Sequence, residues 1–182
     1  IELFTEVTIV DEKKEVIADS HGLLEAIESC WRSEGLPTPQ KFGWEVNSSV
    51  PIGQGLKSSS ALASAALRAL NNCSWAGLSL SELADLSVKA QRIANCTVTG
   101  SMDDTWASLA PGWKLVDPNF NAHESVIIQG EIEQDLSVLI GLRGKRLVEI
   151  SKESFSSQRQ LFERSLASVM SGAPLDALSS NG

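Results

Sequence analysis

The sequence predicts an α+β fold, with strands ahead of helices and no regular βαβ alternation. Three observations carry that expectation. Ile1–Val10 alternates apolar and polar residues, the period-2 mark of a half-buried strand. Between Ser58 and Leu109 the apolar residues recur at helical spacing, interrupted by turn residues. After Gly112 short apolar runs return to strand spacing before a final helical segment. A chain of 182 residues suits one domain or two small ones, and 42% apolar with 21% charged residues is ordinary for a soluble globular protein.

Leu3, Thr5, Val7 and Ile9 alternate with Glu2, Glu6 and Thr8 in the first strand. Asp11–Lys14 is a polar turn, after which Glu15–Ala18 can return as a partner strand. Ser20 is placed to cap a helix that carries Leu23, Leu24, Ile27 and Trp31 on one face. Gly35–Pro39 ends it. Phe42, Trp44 and Val46 alternate with Lys41, Gly43 and Glu45 as a further strand. A Gly/Ser loop leads into a helix with Ala61, Leu62, Ala65, Ala66, Ala69 and Leu70 at its apolar positions and Asn71 and Asn72 as stop signals. Ser79 and Glu82 form a capping-box pattern that opens a helix through Leu83, Leu86, Val88 and Ile93. Thr97–Gly100 breaks that pattern, and Met102–Leu109 reads as a short helix stopped by Pro111 and Gly112. Trp113–Val116, Ser125–Ile128 and Asp135–Leu142 read as strands, the last around Leu136, Val138, Leu139 and Ile140. Ser154 is placed to cap a helix through Phe155, Leu161, Phe162, Leu166 and Val169. Gly172–Pro174 breaks it, and Asp176 opens another helical turn. A weak boundary falls near residues 118–124.

The net charge of −8 argues against a nucleic-acid partner, which favours a basic face. It leaves room for a small anionic substrate held by a few local donors. Cys30, Cys73 and Cys96 form no CxxC pair and imply neither a zinc site nor a disulfide framework, so a reducing cytoplasm is the default. No apolar run approaches the roughly 20 residues of a membrane helix, and no signal peptide is visible.

The chemistry-bearing stretch is Pro51-Ile52-Gly53-Gln54-Gly55-Leu56-Lys57-Ser58-Ser59-Ser60-Ala61, between a strand and a helix. Glycines let a backbone approach a ligand closely, and a helix start offers unpaired N–H groups to an anion. The spacing is not Walker A, because Gly53 and Gly55 are only two apart, and the third glycine of a Rossmann fingerprint is absent. On spacing alone the stretch is a phosphate loop or a Gly-rich turn with serine caps.

The pattern resembles the central motif of the GHMP kinases, in which most members have glycine at the position of Lys57. Gly-Leu-Lys-Ser-Ser-Ser-Ala is the form seen in archaeal-type shikimate kinases. Thr97-Val-Thr-Gly100-Ser-Met-Asp103-Asp104 resembles the Thr-Gly-Ala-Phe-Asp-Asp segment of the same kinases. The resemblance implies a ribosomal protein S5 domain 2-like N-terminal domain over residues 1–122. Residues 123–182 would begin a ferredoxin-like second domain. It implies ATP and Mg²⁺ as cofactors and shikimate as the small-molecule partner, phosphorylated at its 3-hydroxyl on the route to chorismate. Another alcohol (mevalonate, homoserine or pantoate), or a non-catalytic nucleotide-binding module, is the alternative. Lys57 and Ser60 favour shikimate.

By the same resemblance Gly53, Gly55 and Leu56 shape the loop around the ATP phosphates, backbone N–H groups of Lys57 to Ser60 bind phosphate oxygens, and the Ser59 hydroxyl approaches Mg²⁺. Asp103 matches the aspartate that orients or deprotonates the acceptor hydroxyl, with Asp104 beside it. Without the resemblance, paired aspartates at a helix start read as caps and dipole partners. Lys57 faces a phosphate, a substrate carboxylate or solvent. Trp106 lines a pocket or is an ordinary core or surface aromatic, and Arg92 and Arg143 bind an anion or lie on a solvated face. His21 and His123 are isolated and carry no assigned role. Relatives commonly carry a metal-binding glutamate in the preceding helix. Here the candidate positions are Gln91, Arg92 and Ile93, which leaves Mg²⁺ to ATP, Ser59 and water. The Ala107–Gly112 segment also departs from the usual Gly-Gly ending. The family's N-terminal motif and C-terminal glycine-rich motif are not visible between Ile1 and Gly182. The reading therefore expects a piece of a longer chain, inactive alone.

Overall fold

The computed structural model describes residues 3–12, 16, 19, 21–131, 136–141, 144 and 156–181. Backbone contacts divide the chain into two compact units, Ile1–Arg146 and Leu147–Gly182. The first contains β1 (Thr5–Val10), α1 (Leu23–Ser33), β2 (Gly43–Ser48), α2 (Ser58–Ser74), α3 (Leu80–Ile93), α4 (Met102–Leu109), β3 (Trp113–Val116), α5 (Ala122–Ser125) and β4 (Val126–Gly130). The second contains α6 (Arg159–Met170) and α7 (Pro174–Asn181). The elements are mixed α and β with small antiparallel sheets, in line with the α+β expectation.

β1 pairs with β2, Thr5 opposite Ser48 and Val10 opposite Gly43. β3 pairs with β4, Trp113 opposite Gly130, with a register shift at Leu115/Val116. α2 packs on β1 and touches α1, α3 and α4. Leu23, Ile27, Trp31, Leu67, Leu70 and Leu83 are among the most deeply buried side chains of that core. Burying each such aliphatic side chain contributes about 1.5–3 kcal/mol.

The first helix forms as its periodicity predicts, with Leu23, Leu24, Ile27 and Trp31 all buried. The Asp19 carboxylate caps it, accepting from the backbone N–H of Leu23 at 2.6 Å and of Leu24 at 2.9 Å. Ser20 and the expected return strand at 15–18, Val16 apart, lie outside the described residues. The Ser79–Glu82 capping box is present with both of its hydrogen bonds.

Several expectations need correction. Asn71 and Asn72 do not stop α2, which runs to Ser74. Asn71 instead clamps the following turn, accepting from Leu78 N at 2.9 Å and donating to Leu78 O at 3.1 Å. The buried face of α2 carries Ala63, Ser64 and Leu67, while Ala61, Ala65 and Ala69 are only half-buried. Ile93 is 54% exposed at the end of α3. Leu136–Gly141 form no strand, and Leu139 is 98% exposed. A strand needs a hydrogen-bonded neighbour, and no described element offers that run one. The last long helix begins at Arg159 with Gln158 at its cap position, and Ser154 and Phe155 lie outside the described residues.

Candidate phosphate-binding site

The loop between β2 and α2 turns by left-handed residues: Gly53 (φ 70°), Gly55 (φ 82°) and Lys57 (φ 58°). Glycine takes that conformation freely, whereas in lysine it costs roughly 1–2 kcal/mol. Lys57 is the residue at which α2 starts, and no side chain caps that start. No acidic residue stands in the first turn. Ala61 N–H is the first to bond back, to Lys57 O at 3.2 Å. The N–H groups ahead of it therefore face a ligand or water, at the positive end of a 17-residue helix.

The second motif is folded around its own turn. Gly100 N–H donates to Thr97 Oγ1 at 3.0 Å, and the Thr97 and Ser101 hydroxyls share a hydrogen bond of 2.7 Å. Ser101 (φ 53°) opens α4, which carries Asp103 and Asp104 in its first turn. Asp103 is exposed and makes no hydrogen bond or ion pair with the described residues. The Asp104 side chain is 13% exposed, and its Oδ2 lies 2.8 Å from Lys57 Nζ. That atom is buried and accepts no well-angled hydrogen bond, so the lysine is its counter-ion. The ion pair joins the two motifs.

Behind the pair lies a cavity of about 550 Å³ whose walls include Leu56, Lys57, Ser64, Arg68, Asp104 and Ser108. Arg68 donates to Leu109 O, and the buried Ser64 hydroxyl has no partner among the described residues. Ser64 and Arg68 escaped the sequence reading. The signal was the stripe Ala61, Ser64, Ala65, Arg68 at helical i, i+3, i+4, i+7 spacing.

The other loop residues fall as follows. Ile52, Gly53 and Gly55 are exposed, while Pro51, Gln54, Leu56, Ser58, Ser59 and Ala61 are half-buried. The Gln54 Oε1 is buried without a partner among the described residues. The Ser60 hydroxyl points into the core and donates to Gln91 Oε1 at 3.0 Å. The Cys96 thiol donates to Ala94 O at 3.7 Å. Burial pushes that thiol's pKa up, and the nearby Ser59 side chain only partly offsets it. Trp106 is a core aromatic whose indole N–H donates to Ser125 Oγ at 3.3 Å. Arg92 lies over Gly100 and donates to Thr99 O at 3.3 Å, holding the turn. His21 and His123 are exposed, and Arg143 lies outside the described residues.

The model of the GHMP kinases N terminal domain matches residues 21–112, from the start of α1 through α4. The chain belongs to the GHMP kinases. This GHMP kinase is 32% identical to the shikimate kinase of Pyrococcus abyssi over 148 residues, 80% of this chain and 53% of that relative. It is 30% identical to the shikimate kinase of Thermococcus kodakarensis over 164 residues, 88% of this chain and 58% of that relative. The chain thus spans little more than half the length of these relatives. No solved structure matches it significantly.

Among the described residues no three of His, Cys, Asp and Glu gather as ligands. Gln91 is turned into the core. Mg²⁺ is ordinarily bound through one or two carboxylates together with substrate phosphates.

Proposed function

We propose that this chain is the nucleotide-binding part of a shikimate kinase. The observation that carries the reading is the 2.8 Å contact between Lys57 and Asp104, which sets the phosphate loop against the aspartate-bearing helix. ATP phosphates sit on the uncapped start of α2, with Gly53 and Gly55 letting the loop approach them and backbone N–H groups of Lys57 to Ser60 as donors. Phosphoryl transfer needs positioning and neutralised charge more than covalent help from the protein. The Lys57 ammonium supplies charge. The exposed Asp103 orients the shikimate 3-hydroxyl and takes its proton. The hydroxyl oxygen forms a bond to the γ-phosphorus as the bond to the β,γ-bridging oxygen breaks, and ADP leaves. Asp104 keeps Lys57 in place.

The same reading assigns residues 1–122 to an S5-like domain and residues 123–182 to the start of a ferredoxin-like one. It places the reaction in the cytoplasm, in keeping with free Cys30, Cys73 and Cys96. No described helix is long and apolar enough to cross a membrane. The test is Asp103→Asn and Asp104→Asn in the full-length gene product, assayed for shikimate-dependent ADP release. Asp103→Asn is expected to lower kcat at least 100-fold, on the scale of lost acid–base catalysis. Asp104→Asn is expected to act mainly on the KM for ATP. Near-normal kcat in Asp103→Asn removes that residue from the mechanism.

A further inference from the structure

One buried polar cluster reaches from Ser60, at the end of the phosphate loop, to the helix that carries the aspartates. Gln91, in α3, is 1% exposed, and Ser60, Ser87 and Thr105 around it are 2%, 0% and 0% exposed. Its Oε1 accepts from the Ser60 hydroxyl at 3.0 Å, and its Nε2 donates to Ser87 Oγ at 3.2 Å and to Thr105 Oγ1 at 3.1 Å. The Ser87 and Thr105 hydroxyls lie 3.3 Å apart and share a further bond. An amide is the side chain that accepts at one end and donates two protons at the other, so each polar atom of Gln91 has a partner. Buried networks satisfied in this way define position, because any shift strands a polar group in the core.

The two ends of this tie are at informative places. Ser60 is the third residue of α2, in the turn whose N–H groups face the phosphate loop. Thr105 follows Asp104 directly, in the first turn of α4. We infer that Gln91 is a positioning residue that sets the distance and orientation between the phosphate-binding start of α2 and the carboxylates at the start of α4. Its consequence for catalysis rests on the kinase reading above, whereas the mechanical tie does not. An ionised glutamate here would have no proton to give Ser87 or Thr105, so both hydroxyls would have to turn and donate to it, and the pattern of bonds would change.

The test uses the full-length protein with Gln91→Met, which keeps volume and removes the three bonds, and Thr105→Val, which cuts only the α4 side. Thr105→Ser restores the hydroxyl. Amide hydrogen exchange is read at the first hydrogen-bonded amides of α2, from Ala61 onward, and of α4, from Thr105 onward, and, as an internal reference, in α1. For Gln91→Met both helix starts are expected to exchange at least 10-fold faster while α1 changes less than 2-fold. Thr105→Val should do the same more weakly, and Thr105→Ser should return to wild-type rates. Should Gln91→Met not fold, the Thr105 pair decides alone. A response at one helix start only, or a uniform rise that includes α1, overturns the tie. In the enzyme assay Thr105→Val is expected to lower kcat about 10-fold with the KM for ATP within 3-fold, because the Lys57–Asp104 pair still holds the nucleotide while Asp103 is misplaced. Unchanged kcat alongside the exchange effect refutes the catalytic consequence and leaves the tie standing. If wild-type protein binds no ADP in a calorimetric titration, the kinase reading fails, and the exchange data still judge the tie.

Discussion

Lys57 is held in a conformation that disfavours every residue but glycine, and that makes a stability experiment informative. Replacing it with Met removes the ammonium and keeps the left-handed backbone. Replacing it with Gly removes the ammonium and relieves the strain. Both variants lose the ion pair to Asp104, worth only about 0.2–1 kcal/mol because the lysine side chain is 58% exposed. Both leave the buried Asp104 oxygen without its counter-ion, at about 1–3 kcal/mol. These losses cancel in the comparison. What remains is roughly 1–2 kcal/mol of relieved strain, less about 0.5–1 kcal/mol for the greater freedom of glycine in the unfolded chain. Lys57→Gly is therefore expected to be up to about 1.5 kcal/mol more stable than Lys57→Met, with about 0.7 kcal/mol at the centre of that range. Urea titrations of the full-length variants measure this, and the matching difference in Tm is about 1–3 °C. A Met variant more stable than the Gly variant refutes the left-handed assignment at Lys57. Nucleotide affinity should fall equally in both, and wild-type affinity in Lys57→Gly would remove the ammonium from phosphate binding.

Two other expectations follow from local geometry. Gly100→Ala should destabilise by roughly 1–2 kcal/mol because φ is +103°, and adding Arg92→Ala should not restore stability. A Cβ there would come 2.7 Å from the tip of the Arg92 side chain, which is free to move, so full rescue in the double variant would show the contact to be the cause. The Glu82 carboxyl is held below its usual range by the Ser79 hydroxyl and backbone N–H. With the folded pKa below the unfolded one, its contribution is present above about pH 4.3 and disappears as pH falls through the folded value. The stability gap between wild type and Ser79→Ala, followed by chemical denaturation, should narrow from pH 6 to pH 3, and a gap that widens contradicts the assignment.

Where helix signals were local, the sequence made the fold legible. Met102–Leu109 was bounded by a glycine turn on one side and Pro111–Gly112 on the other, and α4 has those limits. Ser79 and Glu82 marked the start of α3 for the same reason. What the sequence hid were contacts between segments. Lys57 read equally well as a solvated lysine, since nothing near it in the chain announces Asp104. Ser64 and Arg68 read as ordinary residues of a helix until the turn of that helix set them on the cavity wall. Gln91 marked an absence, the missing glutamate, and only packing shows that its amide has three partners of its own. Leu136–Ile140 has the apolar content of a strand, yet the described residues give it no neighbour to pair with.

The most direct test of the central claim is ADP release by the full-length protein, supplied with ATP and in turn shikimate, mevalonate and homoserine. Release that depends on shikimate, with the product phosphorylated at the 3-hydroxyl, is the predicted result. Tight ATP binding with no turnover on any of the three would contradict the account and leave a nucleotide-binding module. Turnover on mevalonate or homoserine instead would keep the phosphate site and overturn the acceptor.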